Sequence, residues 1–378
     1  MLTKRYIYNQ NLTCVALEII ANQQTRQPEE LLQPLIGIIH NIDTNLPLFI
    51  PYALRSIVEL LDPPLENPVI LKLNASDINE IYPEEELKSS LHSIALMIDN
   101  TKQLDWLNIA EYIALSEELM VGADISKIIS FIQSRDRKII AYNIANLSCF
   151  DQCKGLTVDY FCGDFLFQPC HKTGQDMAAN KVNLLMLINK LQNEDVDFNE
   201  IIDLIKIDPL LSYQLLRVAN SAAYIGYQTI ESIQEAVMRL GLKNLKNWVM
   251  VLSMKNVTTK PLEVVESGLI RAKMAEKLAV ATKALCVQSA YTSGLFSVLD
   301  SLLDSPMDIL IDKISLTDEV KDALLHRSGK LGNLISIVVS YEEGHWEELE
   351  STEYFGQDLS EVYIECLEQV SYGKQAMA

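Results

Sequence analysis

The chain has 378 residues, enough for about two domains, and 49% of them are hydrophobic, which excludes wholesale disorder. Its 51 acidic residues against 31 basic ones give a net charge of −20, which opposes direct binding to nucleic acids and anionic lipids. No apolar run reaches the ~18 residues of a membrane span, and residues 1–12 (MLTKRYIYNQNL) lack the apolar core of a signal peptide. The seven scattered cysteines fit reduced thiols, so we expect a cytoplasmic protein.

The first part of the chain, residues 1–170, alternates short apolar runs with helical stretches. Residues 31–39 and 52–61 have helical spacing. The strand-like runs are residues 69–74 (VILKLN), 93–99 (SIALMID), 106–111 (WLNIAE) and 138–144 (KIIAYNI). This alternation predicts an α/β domain with a mostly parallel sheet or barrel.

From about residue 176 the apolar spacing becomes that of helices, which predicts an all-helical domain over residues 176–350. Asp208 followed by Pro209 predicts a helix start, because aspartate accepts from the first free amides and proline suits the first turn. Gly241 is placed to end the next helix. Residues 351–378 are expected to form an acidic C-terminal helix or tail.

Several blocks of this second half resemble HDOD domains. They are residues 208–224 (DPLLSYQLLRVANSAAY), residues 232–254 (SIQEAVMRLGLKNLKNWVMVLSM), residues 294–325 and residues 341–346 (YEEGHW). The signature positions are Asp208, Pro209, Asn220, Ser221 and Gly241. For Asn220 and Ser221 two interpretations stand, a polar cap between helices or a contact to a partner, and the first is favoured because these residues commonly close helices.

The related metal hydrolases carry an adjacent His-Asp pair, because imidazole and carboxylate suit divalent ions. None of the five histidines here is followed by aspartate, and residues 294–298 read GLFSV where that pair would stand. The resemblance to HDOD domains also implies a metal-free domain. We therefore expect no metal in the helical half.

The N-terminal half resembles EAL phosphodiesterases, and the resemblance implies a barrel that binds two metal ions and hydrolyses cyclic diguanylate. Residues 15–20 (VALEII) resemble the Glu-Ala-Leu strand and match its glutamate with Glu18. Residues 72–76 (KLNAS) look like the next motif and keep Asn74. Residues 155–169 (GLTVDYFCGDFLFQP) resemble the closing Gln-Gly motif, with Cys162 in place of glutamine.

Elsewhere this half departs from the pattern that two hard cations need. Asn22 replaces an arginine of the first motif, and Glu111 is the sole carboxylate left of an Asp-Asp-Phe stretch. Other ligand positions carry Leu96, Ala110, Tyr142 and Ala145. Glu18, Asn74 and Glu111 are therefore interpreted as vestigial, with no catalytic residue, no metal and no cofactor.

The barrel is also expected to be short. A (β/α)₈ barrel usually takes at least ~200 residues. The chain between residues 99 and 106 is too short for a crossover helix. We predict a shrunken or incomplete TIM-like barrel that lacks at least one helix, followed by the HDOD domain. Zinc at Cys149, Cys153, Cys162 and Cys170-His171 is a weak alternative, because paired C-x-x-C spacing is missing.

Together these observations indicate a non-catalytic bacterial signalling scaffold that works by binding proteins, in a cyclic-diguanylate-related pathway such as motility or biofilm control. The alternatives are a non-hydrolysing cyclic-diguanylate receptor and a weak phosphodiesterase. The missing acidic ligands count against the enzyme, and the missing arginine counts against the receptor, because arginine clamps phosphates. We expect protein partners of unknown identity, no nucleic acid, and possible oligomers.

Overall fold

The computed structural model describes residues 1–22, 28–42, 46–61, 64–169, 179–193, 198–220, 230, 232–283, 285–349 and 358–377. The chain divides into two compact units, Met1–Gln168 with Glu343–Trp346, and Pro169–Glu342 with Glu347–Ala378. The first division lies beside the expected boundary at residues 170–176. The segment expected to form an acidic C-terminal helix or tail, residues 351–378, contains a helix at Leu359–Met377 that belongs to the helical unit, and residues 350–357 and 378 are outside the described residues.

The first unit is a closed barrel of eight strands that pair in sequence order. The strands are β1 (Leu2–Tyr8), β2 (Cys14–Ala21), β3 (Leu48–Pro51), β4 (Val69–Asn74), β5 (Ser93–Ile98), β6 (Tyr112–Leu115), β7 (Lys138–Ala141) and β8 (Tyr160–Cys162). Strand β1 runs antiparallel to both of its neighbours, β2 and β8, and every other pair is parallel.

A tight turn explains why β1 and β2 run antiparallel. The Asn9 side-chain oxygen accepts from the amides of Asn11 (2.9 Å) and Thr13 (3.0 Å), and Leu12 adopts a positive φ of 58°. A turn this short reverses the chain directly, whereas parallel neighbours need a longer crossover. The first connection of the barrel therefore holds no helix.

The remaining connections of the barrel carry short helices. They contain α1 (Leu32–His40), α2 (Arg55–Glu59), α3 (Glu84–Lys88), α4 (Glu117–Met120), α5 (Ile125–Gln133) and α6 (Leu147–Lys154), with 3₁₀ turns at Pro28–Leu31, Tyr52–Leu54, Ala75–Asp77 and Thr101–Asn108. The prediction of a shrunken barrel with a missing helix is confirmed, since Thr101–Asn108 is a 3₁₀ helix where β5 crosses to β6. The alternative of an incomplete barrel is wrong, because the ring of strands closes.

Residues 106–111 were predicted as a strand, and the structure corrects this. Trp106 lies in the 3₁₀ helix, whose start is fixed by a capping box between Asn100 and Gln103. Strand β6 begins only at Tyr112. The residues of this run are apolar as expected, but the capping box at Asn100 starts a helical turn there instead of a strand.

Inward-facing side chains fill the barrel, as expected of eight strands, whose interior is just wide enough for them. The interior contains small, branched and aromatic residues, and the rings of Phe49 and Tyr112 meet edge to face at 5.3 Å. The buried interior cluster is Ile7, Ala16, Phe49, Ile70, Ala95, Tyr112, Ala114, Ile140 and Cys162.

The second unit is helical over its described residues. Its helices are α7 (Ala179–Gln192), α8 (Phe198–Ile207), α9 (Pro209–Ala219), α10 (Ile233–Val257), α11 (Leu262–Thr282), α12 (Val287–Phe296), α13 (Leu299–Leu303), α14 (Met307–Ile311), α15 (Asp318–His326), α16 (Gly329–Glu343), α17 (Trp346–Leu349) and α18 (Leu359–Met377). Among the described residues, no helix is long and apolar enough to cross a membrane.

The predicted helix signals act as expected. The Asp208 carboxylate accepts from the amides of Leu210 (2.9 Å) and Leu211 (3.1 Å), and Pro209 opens α9. Gly241 breaks α10 with φ of 72°, although helical residues resume beyond it. Helices α9 and α10 bury their apolar side chains at Leu211, Leu215, Val218, Val237, Leu240, Leu245 and Val249.

Helices α11 and α12 pack closely because Gly294 has no side chain at their crossing. A Cβ there would lie 2.6 Å from the Ala272 Cα, too close for any larger residue without movement. Helix α18 adds further core, with the Tyr363 ring 5.2 Å from that of Tyr341. The acidic C-terminal segment therefore contributes a buried face.

Candidate functional site

The polar centre of the barrel is built around Glu18, an inward residue of β2 whose side chain is 1% exposed. One carboxylate oxygen, Oε1, accepts from the Lys72 ammonium and from the Tyr142 hydroxyl, the latter at 2.7 Å. The other, Oε2, accepts from the Cys162 thiol at 3.3 Å. These donors lie on β4, at the end of β7 and on β8, so three separate parts of the barrel use both oxygens of one buried carboxylate.

Electrostatics fix the protonation state of this cluster. Burial by itself would raise the pKa of Glu18, but Lys72 and Arg5 outweigh it and hold that pKa below its usual value. Burial and the Glu18 charge raise the pKa of both Tyr142 and Cys162 well above their ordinary values. At neutral pH, Glu18 is therefore ionised while Tyr142 and Cys162 stay protonated and donate to it.

Lys72 supplies the cation that contacts Glu18 directly. Its ammonium also donates to the Tyr142 hydroxyl at 3.3 Å and lies 5.4 Å from the centre of the Tyr142 ring. The side chain is only 17% exposed, so its charge is held inside the barrel beside Glu18.

The donor set does not fit the divalent ions that the EAL resemblance implies. Both Glu18 oxygens already accept from donors, a metal beside the Lys72 ammonium would be repelled, and a protonated Cys162 is a poor ligand. Among the described residues, no group of three or more His, Cys, Asp or Glu side chains is arranged to hold a metal.

A cavity of about 240 Å³ opens beside Lys72 at the carboxyl end of the strands, where barrel enzymes carry their sites. Asn74, one of the predicted positions, lines it at the end of β4. Its side chain donates to Asp77 at 3.4 Å and is exposed. The cavity walls include Tyr82 and Met97.

Glu111 does not join Glu18 and Asn74. Its carboxylate accepts from the Ser93 hydroxyl at 2.8 Å and from the Lys138 ammonium at 3.3 Å. Ser93 and Lys138 are the first residues of β5 and β7, so Glu111 lies at the amino end of the barrel. Of the three vestigial positions, only Glu18 and Asn74 share the carboxyl end.

Sequence reasoning assigned no role to Lys72 or Arg5, although one signal was available. In the run VILKLN, side chains alternate between the two faces, and Ile70 lies in the barrel interior. The same alternation directs Lys72 inward. A lone lysine on the inward face of a strand was therefore the mark of a buried ion pair.

The cysteines considered as a zinc alternative lie in different places. Cys149 and Cys153 are on α6, whereas Cys162 faces the barrel interior. Cys170 and His171 lie outside the described residues. The described cysteines therefore do not form one cluster.

The HDOD signature positions lie in the helical unit. Asn220 ends α9, and its amide group donates to the Ile230 carbonyl (2.9 Å) while its oxygen accepts from the Ile230 amide (2.8 Å). This pair of hydrogen bonds to one residue is the pattern of a polar cap. Ser221 lies outside the described residues.

At residues 294–298, the GLFSV run is packed inside the helical unit. The Ser297 hydroxyl donates to the Gly294 carbonyl at 2.7 Å, and Val298 is 1% exposed. This segment offers a local hydrogen bond and apolar packing, and its side chains include no metal ligand of the His-Asp type.

Comparisons with known proteins agree with this architecture. The family model described as HDOD domain matches residues 180–303. The chain is 31% identical to "Uncharacterized protein YuxH" of Bacillus subtilis (strain 168) over 214 residues, 55% of this chain and 52% of that protein. It is 27% identical to "Cyclic di-GMP phosphodiesterase CdgJ" of Vibrio cholerae over 271 residues, 70% of this chain and 63% of that protein. The matches thus span less than two thirds of either relative.

A solved structure of the EAL enzyme Bd1971 is 13% identical, with a TM-score of 0.36, covering 44% of this chain and 60% of that one. A likeness this low establishes no shared chemistry. The chain carries an HDOD domain at residues 180–303, preceded by a closed eight-stranded barrel. The expected order, a barrel followed by an HDOD domain, is confirmed.

Proposed function

We propose that the chain is a non-catalytic signalling protein of a cyclic-diguanylate-related pathway that acts by binding other proteins. The observation that carries this proposal is the Lys72 ammonium on the Glu18 carboxylate. Lys72 neutralises the one motif carboxylate in the barrel centre, in the region where a hydrolase would need metal ions to activate water.

The cavity beside this pair supports the same conclusion. At about 240 Å³ it is smaller than the ~300–1,000 Å³ of sites that hold drug-sized ligands. A cyclic dinucleotide with two phosphates would also meet a protein of net charge −20. We expect its dissociation constant to exceed ~10 μM.

An exposed apolar surface on the helical unit supports the proposed protein-binding role. Ile207 (79% exposed) ends α8, and Leu210 (53%) and Tyr213 (59%) follow it on the first turns of α9. Leu210 and Tyr213 are three residues apart and so share one helix face. Aromatic and apolar side chains of this kind are typical of the centres of protein interfaces.

Hydrolysis and binding by the purified full chain test the proposal. Cyclic diguanylate is incubated with Mg²⁺ or Mn²⁺, the Vibrio cholerae phosphodiesterase CdgJ serves as positive control, and calorimetry measures affinity. We expect neither turnover nor sub-micromolar binding. Turnover that Glu18→Gln abolishes would establish a phosphodiesterase, and sub-micromolar binding without turnover would establish a receptor; either result overturns the proposal.

A second assay tests the part of the proposal that predicts binding to other proteins. Affinity-tagged wild type and the Leu210→Asp variant are compared in the native host, with Leu91→Asp as control because Leu91 is 96% exposed on the barrel unit. Proteins that bind wild type and Leu91→Asp but not Leu210→Asp support the proposal. An identical set of bound proteins for all three would remove α9 as the binding surface.

A further inference from the structure

A second cavity lies wholly within the helical unit and has a volume of about 500 Å³. We call it the α10–α12 cavity, because most of its lining comes from these helices. Its size falls within the ~300–1,000 Å³ of small-molecule sites. The barrel chemistry described above does not involve it.

Two residues that line this cavity carry buried polar atoms without protein partners. Among the described residues, the Asn247 side-chain oxygen and the Thr292 hydroxyl have no hydrogen-bond partner, although their residues are 5% and 2% exposed. An unpaired buried polar group costs roughly 1–3 kcal/mol, so such groups mark places where a ligand or water completes the bonding. Both residues line the same cavity from facing helices.

The cavity mouth favours negative charge. Lys243 and Lys246 extend from α10, where Lys246 also donates to the Asn193 carbonyl at 3.0 Å, and the positive end of the α12 helix dipole lies beside them at Ser289. Lys243 also pairs with Glu276 at 2.5 Å, so part of its charge is shared. The Ser289 hydroxyl and amide lower the pKa of the Cys286 thiol, the direction in which a site that stabilises anions acts.

The apolar part of the remaining wall consists of Leu191, Leu242, Met250 and Val320, and polar residues including Gln192 and Ser315 complete the lining. A ligand that fits all three surfaces has a flat apolar body, a hydrogen-bond donor for Asn247 and an anionic group for the mouth. We propose that the α10–α12 cavity binds a purine mononucleotide. Asparagine is the side chain that pairs with the N–H donor edge of adenine, and helix starts with lysines hold phosphate.

This inference goes beyond the proposed scaffold role, since it gives the helical unit a small-molecule input of its own. If the cavity binds no nucleotide, the proposal for the barrel is unaffected. If the barrel hydrolyses cyclic diguanylate, the inference about the cavity is unaffected. The two proposals are therefore tested separately.

The test uses the full chain, with AMP, GMP, adenosine and inorganic phosphate as probes in calorimetry and thermal-shift measurements. We expect at least one of the two nucleotides to bind and raise the melting temperature. Adenosine should bind more weakly than AMP, and phosphate should have little effect. Equal effects of phosphate and AMP would mean that the site holds an adventitious anion only. The absence of nucleotide binding at about 1 mM, which corresponds to a weak metabolite affinity, would overturn the proposal.

Matched variants locate the binding. Thr292→Val and Asn247→Leu should each weaken nucleotide binding by about tenfold or more, since each removes one buried hydrogen bond. Ser293→Ala is the control, because Ser293 is equally buried, its hydroxyl also lacks a partner among the described residues, and it does not line the cavity. Thr292→Val should keep the melting temperature of the free protein, which separates lost binding from lost folding. Wild-type affinity in both cavity variants would overturn the proposal.

Discussion

Lys72 and Glu18 lie on strands β4 and β2, with β3 between them, and meet inside the barrel as a buried ion pair. The two residues are 54 positions apart in the chain. Each compensates the burial of the other, so neither can be replaced alone without leaving a charge inside the protein.

A double-mutant cycle measures this dependence. Lys72→Met leaves Glu18 charged and buried, so we expect a loss of about 3–5 kcal/mol in the free energy of unfolding. The double variant Glu18→Gln/Lys72→Met should lose less than the sum of the two single variants. Urea unfolding followed by hydrogen exchange of barrel peptides measures each value. Strict additivity would show that the two side chains do not interact.

The loss of folding stability at low pH should depend on Glu18. Its pKa is lowered in the folded protein, so ionised Glu18 adds stability at pH values above the usual carboxyl pKa near ~4.3, and this contribution is lost as the pH falls through the lowered folded pKa. Glu18→Gln should therefore reduce stability at pH 7 and show a shallower loss on acidification. Chemical unfolding between about pH 7 and about pH 3, a range that covers the titration of a carboxyl group, gives the stability of wild type and variant as a function of pH. Parallel curves would contradict the assignment.

The helical unit should be held by packing. Leu215 is fully buried, so Leu215→Ala should cost roughly 2–5 kcal/mol. Met238→Ala is the control, since Met238 is 72% exposed. EDTA should leave the melting temperature unchanged, because the described residues include no group of His, Cys, Asp or Glu side chains arranged to hold a metal. A drop with EDTA that one metal reverses would show a metal site.

The Asn220 cap should matter more than an ordinary surface asparagine. Asn220→Ala leaves both backbone groups of Ile230 without their side-chain partner and should cost roughly 1–3 kcal/mol. Asn244→Ala is a matched control, because the Asn244 amide donates to Leu240 within its own helix. Thermal unfolding compares the two, and equal melting temperatures would contradict the cap.

Cysteine reactivity should follow the local environment. Cys286 is exposed with a lowered pKa, whereas burial raises the pKa of Cys153 to about 11 and that of Cys366 to about 12. Iodoacetamide should label Cys286 before these two. Peptide mass spectrometry over time measures the order, with Cys286→Ser as control. Faster labelling of Cys153 would show that α6 opens readily.

The sequence by itself determined the features that depend on nearby residues. Asp208 and Pro209 start α9 because the capping oxygen and the amides it satisfies are two and three residues apart. The repeating spacing of Leu211, Leu215 and Val218 placed them on one buried face. The short connection after β5 excluded a full crossover helix.

The tertiary structure alone decided how distant residues meet. The hydrogen bonds of Glu18 join residues 54, 124 and 144 positions apart, so no local pattern could reveal that Lys72, Tyr142 and Cys162 converge on it. Closure of the barrel also required pairing of β1 with β8. The barrel also keeps Glu111 apart from Glu18. Glu111 lies at the amino end of the strands, whereas Glu18 points toward its hydrogen-bond donors in the barrel interior.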